Sequence, residues 1–543
     1  MLTLRVAGRW VRLVSGPDVD VTRRVGGTYR YLSGLSTGGL ARVLDVFADG
    51  PSERSAAFSV ALSFDLALAI KQGHTLHGST GELAQWWTGE PFEARRVVLA
   101  GVLREPAYGY SDELFEFSIR ESLGEDRGTF LGPTEVITRG TFPSGIIAGS
   151  QDVRDLWGVP FPIVIGSPGG GHVEDVSGVL TYYDVPATPA LIVETQDPFT
   201  TASAYRFMVC RGIAEDIGRT VEIINKTDAA SDFAGTLAVG RDRQGRSYTY
   251  VPATNSATAA FAGVEAWAIW VNRAASPVIT QSTSNPFDVG GLRGAGDVIR
   301  WALALSTLRI DNSQIGRLTA LNGFLVDTYI NDPEIRPWEW VRDVLLPLLP
   351  ASAVFGPDGL YVATYNYAAT TAEAVERLEV GRNVSRSPGS PVVYGDEGDV
   401  INRMTIAYGL DASTGQFTQT ITLGADFDDD QPASPLHPAM AARRSQGLFG
   451  VRTESVEAPW MYDRATAEAA LQAMMLRDAL PARRIAITGG PELEWLRPGD
   501  VVAFTDSELH MTDRPAHVEG IASAEGLNVE LGLVLFDTLA FTL

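Results

Sequence analysis

One stretch in the last tenth of the chain most narrows what the chain can fold into. It reads Leu496-Arg497-Pro498-Gly499-Asp500-Val501-Val502-Ala503-Phe504. Proline fixes its own φ, glycine accepts backbone conformations that other residues avoid, and aspartate bonds readily to a nearby amide. The apolar run that begins at Val501 then predicts a buried strand. The stretch is therefore interpreted as a turn that starts a core strand, and nothing in it indicates catalysis.

The segments on both sides of this turn predict a compact unit. A helix is expected at 463–479 and a strand at 484–488, and further strands are expected at 517–522 and 527–536. One helix packed against a small antiparallel barrel would bury the apolar faces of all these elements.

The rest of the sequence predicts a mainly β protein with minor α structure, an α+β fold class. At 543 residues the chain is too long for one core. We divide it into 1–122, a β domain; 123–285, a β-rich insertion domain; 286–380, a helix-plus-hairpin domain; and 381–543, a second β domain. Turn residues and short apolar runs carry this division.

Individual elements follow from hydrophobic periodicity. Strands are expected within 59–70, 95–103 and 114–119, with a loop at 106–110. In the insertion they are expected at 191–194, 205–209, 220–224, 248–251 and 266–271, after a flexible glycine loop at 166–171. Helices are expected at 296–307, 314–324 and 337–349, followed by a hairpin of 353–355 with 360–365. Strands 399–408 and 416–423 should pair, and an acidic, proline-rich loop should occupy 425–439.

Charge and cysteine content exclude several classes of function. The formal net charge of −23 argues against binding to nucleic acid or to an anionic membrane surface. The single cysteine, Cys210, excludes an intrachain disulfide and thiolate metal clusters, and its apolar surroundings predict a buried side chain. We also expect neither a signal peptide at the start of the sequence nor a membrane-spanning helix.

Two glycine-rich motifs resemble catalytic or nucleotide-binding loops only superficially. Gly34-Leu35-Ser36-Thr37-Gly38 matches the nucleophile-elbow pattern, but no buried strand is predicted before it, so an ordinary loop is favoured. Gly166–Gly171 lacks the Lys-Ser/Thr pair that completes a phosphate-binding loop, which favours a surface loop.

Candidate metal ligands are equally weak. His74 and His77 lack a third ligand, and His172, Glu174 and Asp175 have no further support. The run 426–430 offers clustered carboxylates for calcium, but it lacks the glycine and the closing glutamate of a helix-loop-helix site, so a solvated acidic loop is favoured. With 66 acidic residues, a carboxylate pair for glycoside cleavage is neither supported nor refuted. We predict no enzyme, no catalytic residue, no cofactor and no metal site.

The order of these parts resembles the tail-tip or baseplate hub proteins of bacteriophages and gene transfer agents. The segments that carry the resemblance are 98–109 (with "AGVLREP" and a Tyr-Gly turn), 157–166 ("WGVPFPIVIG"), 399–408 and 496–506. It covers most of the chain as an order of elements, and the insertion at 167–285 matches least.

The resemblance implies that 1–122 and 381–543 are two tail-tube-like β-barrel domains with a flanking helix. Three copies would then form a pseudo-sixfold ring that adapts the sixfold tail tube to a threefold tip, on the path of DNA ejection. The implied partners are the chain itself as a homotrimer, a distal tail protein or tube ring, a tail-fibre or tip protein and the tape-measure protein. A separate cell-wall peptidase is also implied, since no such domain is found here. The implied location is the virion tail, after synthesis in the host cytoplasm.

A second function remains open from the residues. Repeated β modules and tryptophans also fit a carbohydrate-binding adhesin or a glycan-active receptor-binding protein. The missing signal peptide and the lack of an identifiable acid/base pair argue against it. A receptor-binding role for the insertion at 123–285 would combine both hypotheses.

Overall fold

A computed structural model describes residues 293–536 with gaps at 307, 309, 312–314, 331, 333, 357–358, 388–392, 395–396, 413, 425–437, 494 and 524–527. Before residue 293 it describes the strands given below and the pieces 79, 86, 91–95, 131, 136–138, 158–159, 166 and 237. Strands dominate the described residues and helices are few, which confirms the mainly β prediction.

The described part of 1–122 forms one large sheet. Its strands are β1 (Leu2–Val6), β2 (Arg9–Val14), β3 (Val19–Arg23), β4 (Gly27–Ser33), β5 (Leu35–Thr37), β6 (Leu40–Val43), β7 (Ser55–Ala61), β8 (Thr80–Gln85), β9 (Arg96–Tyr108) and β10 (Leu114–Arg120). All except β6 join in the order β3-β4-β2-β1-β8-β9-β10-β7-β5, and β2 with β4 is the parallel pair.

The expected loop at 106–110 is wrong for its first three residues, which complete strand β9. The register between β9 and β10 shifts between Glu116 and Ser118, so one extra residue of β9 bulges out opposite them. Pro106 lies in this irregular part of the ladder, where its missing N–H is tolerated.

The insertion consists of short strands, as expected. They are β11 (Ile163–Ile165), β12 (Gly170–Glu174), β13 (Leu180–Asp184), β14 (Thr188–Pro189), β15 (Leu191–Gln196), β16 (Ser203–Arg211), β17 (Thr220–Asn225), β18 (Ser231–Thr236), β19 (Ala238–Arg241), β20 (Ser247–Ala253) and β21 (Ala266–Trp270). Two four-stranded sheets result, ordered β14-β21-β17-β18 and β15-β16-β20-β19, beside the hairpin β12–β13.

The flexible loop expected at 166–171 is wrong for its last two residues, and residues 167–169 lie outside the described ranges. Gly170 and Gly171 begin strand β12. Gly166 adopts φ +65°, and a Cβ there would overlap the carboxylate of Asp327 and the carbonyl of Val326. Asp327 is fully buried and bonded by Arg293, with Nε to Oδ1 at 2.8 Å and Nη2 to Oδ2 at 3.0 Å. Glycine is needed at 166 because a buried ion pair lies against its backbone.

The helix-plus-hairpin segment matches its predictions closely. It contains α1 (Ala295–Leu305), α2 (Ile315–Leu318), a 3₁₀ turn (Thr319–Gly323), β22 (Thr328–Ile330), α3 (Pro337–Trp340), β23 (Ala351–Gly356) and β24 (Gly359–Thr364). Helix α3 continues through a π turn (Val341–Leu345) and a 3₁₀ turn (Leu346–Leu348). Pro347 has no N–H to donate to the preceding turn, which explains the change of pitch.

The C-terminal segment contains β25 (Glu376–Glu379), β26 (Val384–Arg386), β27 (Val393–Tyr394), β28 (Arg403–Asp411), β29 (Gln416–Leu423), α4 (Pro438–Phe449), β30 (Thr453–Glu457), α5 (Arg464–Asp478), β31 (Arg483–Gly489), β32 (Val501–Asp506), β33 (Met511–Ser523) and β34 (Val529–Leu535). Short 3₁₀ turns lie at Phe92–Ala94, Thr371–Glu373, Glu397–Asp399 and Pro491–Leu493.

We call the sheet β25-β32-β33-β34-β31-β26 the barrel sheet. Its two edge strands are consecutive in the chain, and a bridge between Val380 and Val384 links them, so the sheet curls towards closure. The strands predicted for this barrel, β31 to β34, pair antiparallel as expected, and β25 adds a parallel edge strand beside β32. Strand β6 also pairs with the second half of β33, which links the N-terminal segment to this sheet.

The expected packing of helix α5 against the barrel is seen in part, since its Ala473 and Leu476 pack against a small cluster that includes Val534 of β34. The same helix contributes Ala467, Leu471 and Met475 to a core shared with α1, α3, β24 and β28, here called the main core. Fully buried Trp460 also lies in it and donates Nε1 to the Val344 carbonyl at 2.8 Å. A separate barrel core lies inside the barrel sheet and includes Leu378, Phe504, Val518, Leu531 and Leu533.

Two boundaries near strand β28 differ from the sequence-based expectation. The strand begins at Arg403 instead of Asp399, which ends a 3₁₀ turn. Helix α4 includes residues 438–439, which were assigned to the acidic loop, and its periodicity was not recognised because its buried face is made of small residues. The remainder of that loop lies outside the described residues.

Buried Asn402 explains where strand β28 begins and where helix α4 ends. Its Nδ2 donates to Ser445 Oγ (3.0 Å) and to the Gly450 carbonyl (2.7 Å), and its Oδ1 accepts from Arg452 N (2.8 Å). Gln446 Nε2 donates to the carbonyl of Asn402 at 2.8 Å. Because side-chain hydrogen bonds satisfy backbone groups around Asn402, strand β28 starts at the residue that follows it, and helix α4 ends against the same side chain.

The substitution Asn402→Ala tests this interpretation. It leaves the buried Ser445 hydroxyl and the partly exposed Gly450 carbonyl and Arg452 N–H without these partners, so we expect the free energy of unfolding to fall by about 1–3 kcal/mol. The measurement is denaturant unfolding followed by circular dichroism. Exposed Asn366 makes its side-chain hydrogen bonds in contact with water, so Asn366→Ala should lower stability by less than about 1 kcal/mol. Equal losses in the two variants would contradict a structural role for Asn402.

Candidate functional site: the Pro-Gly-Asp turn and its charged contacts

The turn that precedes strand β32 is built by its backbone. Gly499 adopts φ +88°, and a Cβ there would lie 3.0 Å from the Cβ of Ala363 on the hairpin. Gly499 N donates to the carbonyl of Val518 (2.9 Å), and Val518 N donates to the carbonyl of Asp500 (2.9 Å). The turn is therefore fixed between strand β33 on one side and the hairpin β23–β24 on the other.

The Asp500 carboxylate is the charged centre of the turn. Its side chain is 3% exposed. One oxygen accepts from Arg497 N at 2.8 Å, which closes the turn locally. The other lies 2.7 Å from Arg317 Nη1, at the end of the short helix α2. The sequence predicted the local bond to an amide, but the partner 183 positions away could not be found from the sequence.

A second ion pair lies beside the first. Arg497 Nη1 donates to the buried carboxylate of Asp311 at 2.9 Å. The guanidinium groups of Arg497 and Arg317 both lie within 6 Å of the Tyr361 ring centre, and Arg317 Nη1 lies 2.6 Å from the Tyr361 hydroxyl. Two carboxylates and two guanidinium groups thus balance each other around one tyrosine.

Tyr361 is held in its neutral form. Burial raises the pKa of its hydroxyl to about 12, and the charge of Asp500 adds to this effect against the opposing charges of Arg317 and Arg497. A hydroxyl with this pKa does not transfer its proton near neutral pH. The arrangement contains no nucleophile with a neighbouring base, so its chemistry is that of a structural joint between the barrel sheet and the helix-plus-hairpin segment.

The sequence motifs considered above do not gather at this joint. Ser36 lies inside strand β5, paired with Ser59, and not on a strand-to-helix elbow. His172 and Glu174 lie in strand β12. His74, His77, Asp175 and the acidic run 426–430 lie outside the described residues, and Cys210 is placed in strand β16 without a described side chain.

Within the described ranges, no three His, Cys, Asp or Glu side chains are grouped closely enough to hold a metal ion. Across the same ranges, no helix has the length and hydropathy needed to cross a membrane.

Residues 437–520 match the model of a protein family described as "Putative phage tail protein". This segment is similar to phage tail proteins. It extends from the start of α4 into β33 and contains the whole Pro-Gly-Asp turn. The match confirms the family resemblance of the chain and, with it, the virion tail as its location.

The solved structures that match the chain include two tail proteins. One, from Neisseria meningitidis MC58, is 10% identical and similar over 98% of this chain and 95% of its own, with a TM-score of 0.36. The other, a 43 kDa tail protein of prophage MuSo2 from Shewanella oneidensis, is 10% identical over 99% of this chain and 98% of its own, with a TM-score of 0.33.

A chain of the virion of a native gene transfer agent particle is also similar. It is 15% identical over 50% of this chain and 77% of its own length, with a TM-score of 0.18. No curated protein has a sequence that matches this chain.

The close approach at Gly499 gives a test with a matched control. Gly381 also adopts φ +88°, but nothing lies within 4 Å of a Cβ added there. Gly381→Val should cost about 1–2 kcal/mol of stability from the left-handed backbone alone. Gly499→Val should cost ~1–3 kcal/mol more, because the side chain also meets the hairpin. Thermal unfolding of both variants measures the difference, and equal melting temperatures would show that the contact with Ala363 is unimportant.

The Asp500 ion pair gives a second test. Asp500→Asn keeps the bond to Arg497 N but removes the charge opposite Arg317, and we expect a loss of about 2 kcal/mol, since the 40% exposed Arg317 can turn to water. Glu379→Gln changes an exposed pair with Arg382 and should alter stability by less than about 0.5 kcal/mol. Chemical denaturation measures the stability of both variants. An unchanged stability in Asp500→Asn would show that the charge of Asp500 does not stabilise the turn.

Proposed function

We propose that this phage tail protein is a homotrimeric hub that adapts the sixfold tail tube to the threefold tail tip. The observation that carries the proposal is the phage tail family match at 437–520, which covers the turn and its flanking elements. The site itself supports a structural role, since its charged groups are used to hold two parts of the chain together.

Open sheet edges support self-association. Strand β28 lies between β29 and β30 in a three-stranded sheet, and neither outer strand has a further partner among the residues that the structure describes. Edge strands offer unpaired N–H and C=O groups to another chain, and identical subunits commonly satisfy such edges in closed rings. In a homotrimer, each copy would present the same edges to its neighbours.

The strong negative charge supports a place on the DNA-exit path. A net charge of −23 repels a passing nucleic acid and limits adhesion to it. The partners of such a hub are a distal tail protein or tube ring, a tail-fibre or tip protein and the tape-measure protein. Cell-wall cleavage, where the tail performs it, belongs to a separate peptidase, and this chain contributes no catalytic residue, cofactor or metal.

Electron cryomicroscopy of assembled particles tests the proposal. We expect density for this chain as a threefold ring at the distal end of the tail tube, with two β domains per copy facing the channel. Particles in which the chain carries a small C-terminal epitope tag, labelled with an antibody fragment, should show three labels at that position.

Several outcomes would contradict the hub proposal. A chain that is absent from particles, or labels at the tips of fibres, would overturn the hub assignment. Binding of the purified chain to a glycan array would favour the adhesin hypothesis, whereas a hub should leave the array unlabelled.

A further inference from the structure

A buried histidine lies behind the Pro-Gly-Asp turn. His517, on strand β33, is 4% exposed and pairs with Val501 on β32 and Val534 on β34. Its Nδ1 has no hydrogen-bond partner among the described residues. The turn residue Gly499 and Asn366, just after the hairpin, contact the ring through their backbones. One imidazole thus touches the barrel sheet, the turn and the chain that leaves the hairpin.

Aromatic rings enclose this imidazole. The ring centres of Tyr365 and Phe536 lie 5.7 Å and 5.6 Å away with nearly perpendicular planes, and that of Tyr367 lies 6.5 Å away. Tyr367 in turn stacks on Tyr365 and meets the edge of Phe536. The cage therefore joins the end of the hairpin to the last described strand, and it offers a neutral imidazole an apolar environment.

The charged groups near the cage already have partners of their own. Glu373, on the 3₁₀ turn after the hairpin, attracts a proton to His517 but is already bonded by Thr370 N and Asn366 Nδ2. On the side of the turn, Asp500 is neutralised by Arg317. Behind Tyr367, Asp478 is paired with Arg477.

We propose that His517 is a proton-sensitive latch that holds the hairpin end and the Pro-Gly-Asp turn against the barrel sheet while it is neutral and releases them when it is protonated. The cation would be buried in an apolar cage, and this cost outweighs the hydrogen bonding of the ring to the backbones of Gly499 and Asn366, so protonation favours opening of the cage.

The direction of the effect follows from linkage. Burial lowers the pKa of His517 below its ordinary value of about 6.5, against smaller opposing effects of Gly499, Asn366 and Glu373. The open state therefore binds a proton more readily than the closed state. Above pH 6.5 the imidazole is neutral in both states and the closed cage is fully favoured. Below pH 6.5 the equilibrium constant for opening should rise by up to about tenfold per pH unit, until the pH reaches the pKa of His517 in the closed state.

Hydrogen exchange with mass spectrometry on the full chain tests this proposal. Protection factors, corrected for the intrinsic effect of pH, are measured between pH 7 and pH 5 for peptides that cover 361–373, 496–503 and 511–523. In the unmodified chain all three should lose protection together as the pH falls. His517→Gln and His517→Phe, which cannot titrate, should show constant protection over this range.

His510→Asn is the matched control. His510 is an exposed histidine in the turn between strands β32 and β33, with φ +53°, a conformation that asparagine accepts. This variant should keep the pH dependence of the unmodified chain. A flat profile in the unmodified chain, or the same profile in it and in His517→Gln, would overturn the proposal. If neither His517 variant folds, the unmodified chain and His510→Asn still decide it through the flat or sloping profile of the three peptides.

Discussion

The fold of the C-terminal half depends on one buried carboxylate. Asp500 is removed from water by the hairpin and by strand β33, and an isolated carboxylate in such a place is strongly unfavourable. Arg317 compensates this charge and Arg497 N bonds to it, so the turn is stable only when helix α2 is in position. A local turn has thereby become dependent on a distant segment, and the two form together.

This dependence links two separate hydrophobic cores. The main core contains helices and strand β28, and the barrel core is enclosed by the barrel sheet. Between them lie the paired charges around Tyr361 and a smaller apolar cluster of Tyr365, Tyr367 and Val534. Paired charges require defined geometry, whereas apolar contact tolerates sliding, so the joint fixes orientation as well as proximity.

Much of the local structure could be predicted from the sequence. Apolar periodicity located α1 and the paired strands β28 and β29, and turn residues located the hairpin. Helix α4 was missed at its start, and its buried face consists of the small residues Ala441, Ala442 and Ser445. The joint was only half predictable: Pro-Gly-Asp indicates a turn, but the partners Arg317 and Asp311 are set by tertiary packing and leave no trace in local pattern.

Long-range pairing was likewise beyond the sequence. The parallel pairing of β25, the addition of β6 to the barrel sheet, and the burial of Gly166 against Asp327 each depend on segments more than a hundred residues apart. From the sequence alone, the arginines and aspartates that form ion pairs between such segments cannot be told from ordinary surface residues, since both residue types are usually exposed.

The most direct test of this account is a double-mutant cycle on the Asp500–Arg317 pair. The stabilities of Asp500→Asn, Arg317→Leu and the double variant give the coupling free energy of the two side chains. We expect a favourable coupling free energy of about 1–3 kcal/mol for this pair. A parallel cycle on the exposed pair Glu379–Arg382 should give less than about 0.5 kcal/mol. A coupling near zero for Asp500 and Arg317 would contradict this account, because the turn would then be stable without the helix that is said to hold it.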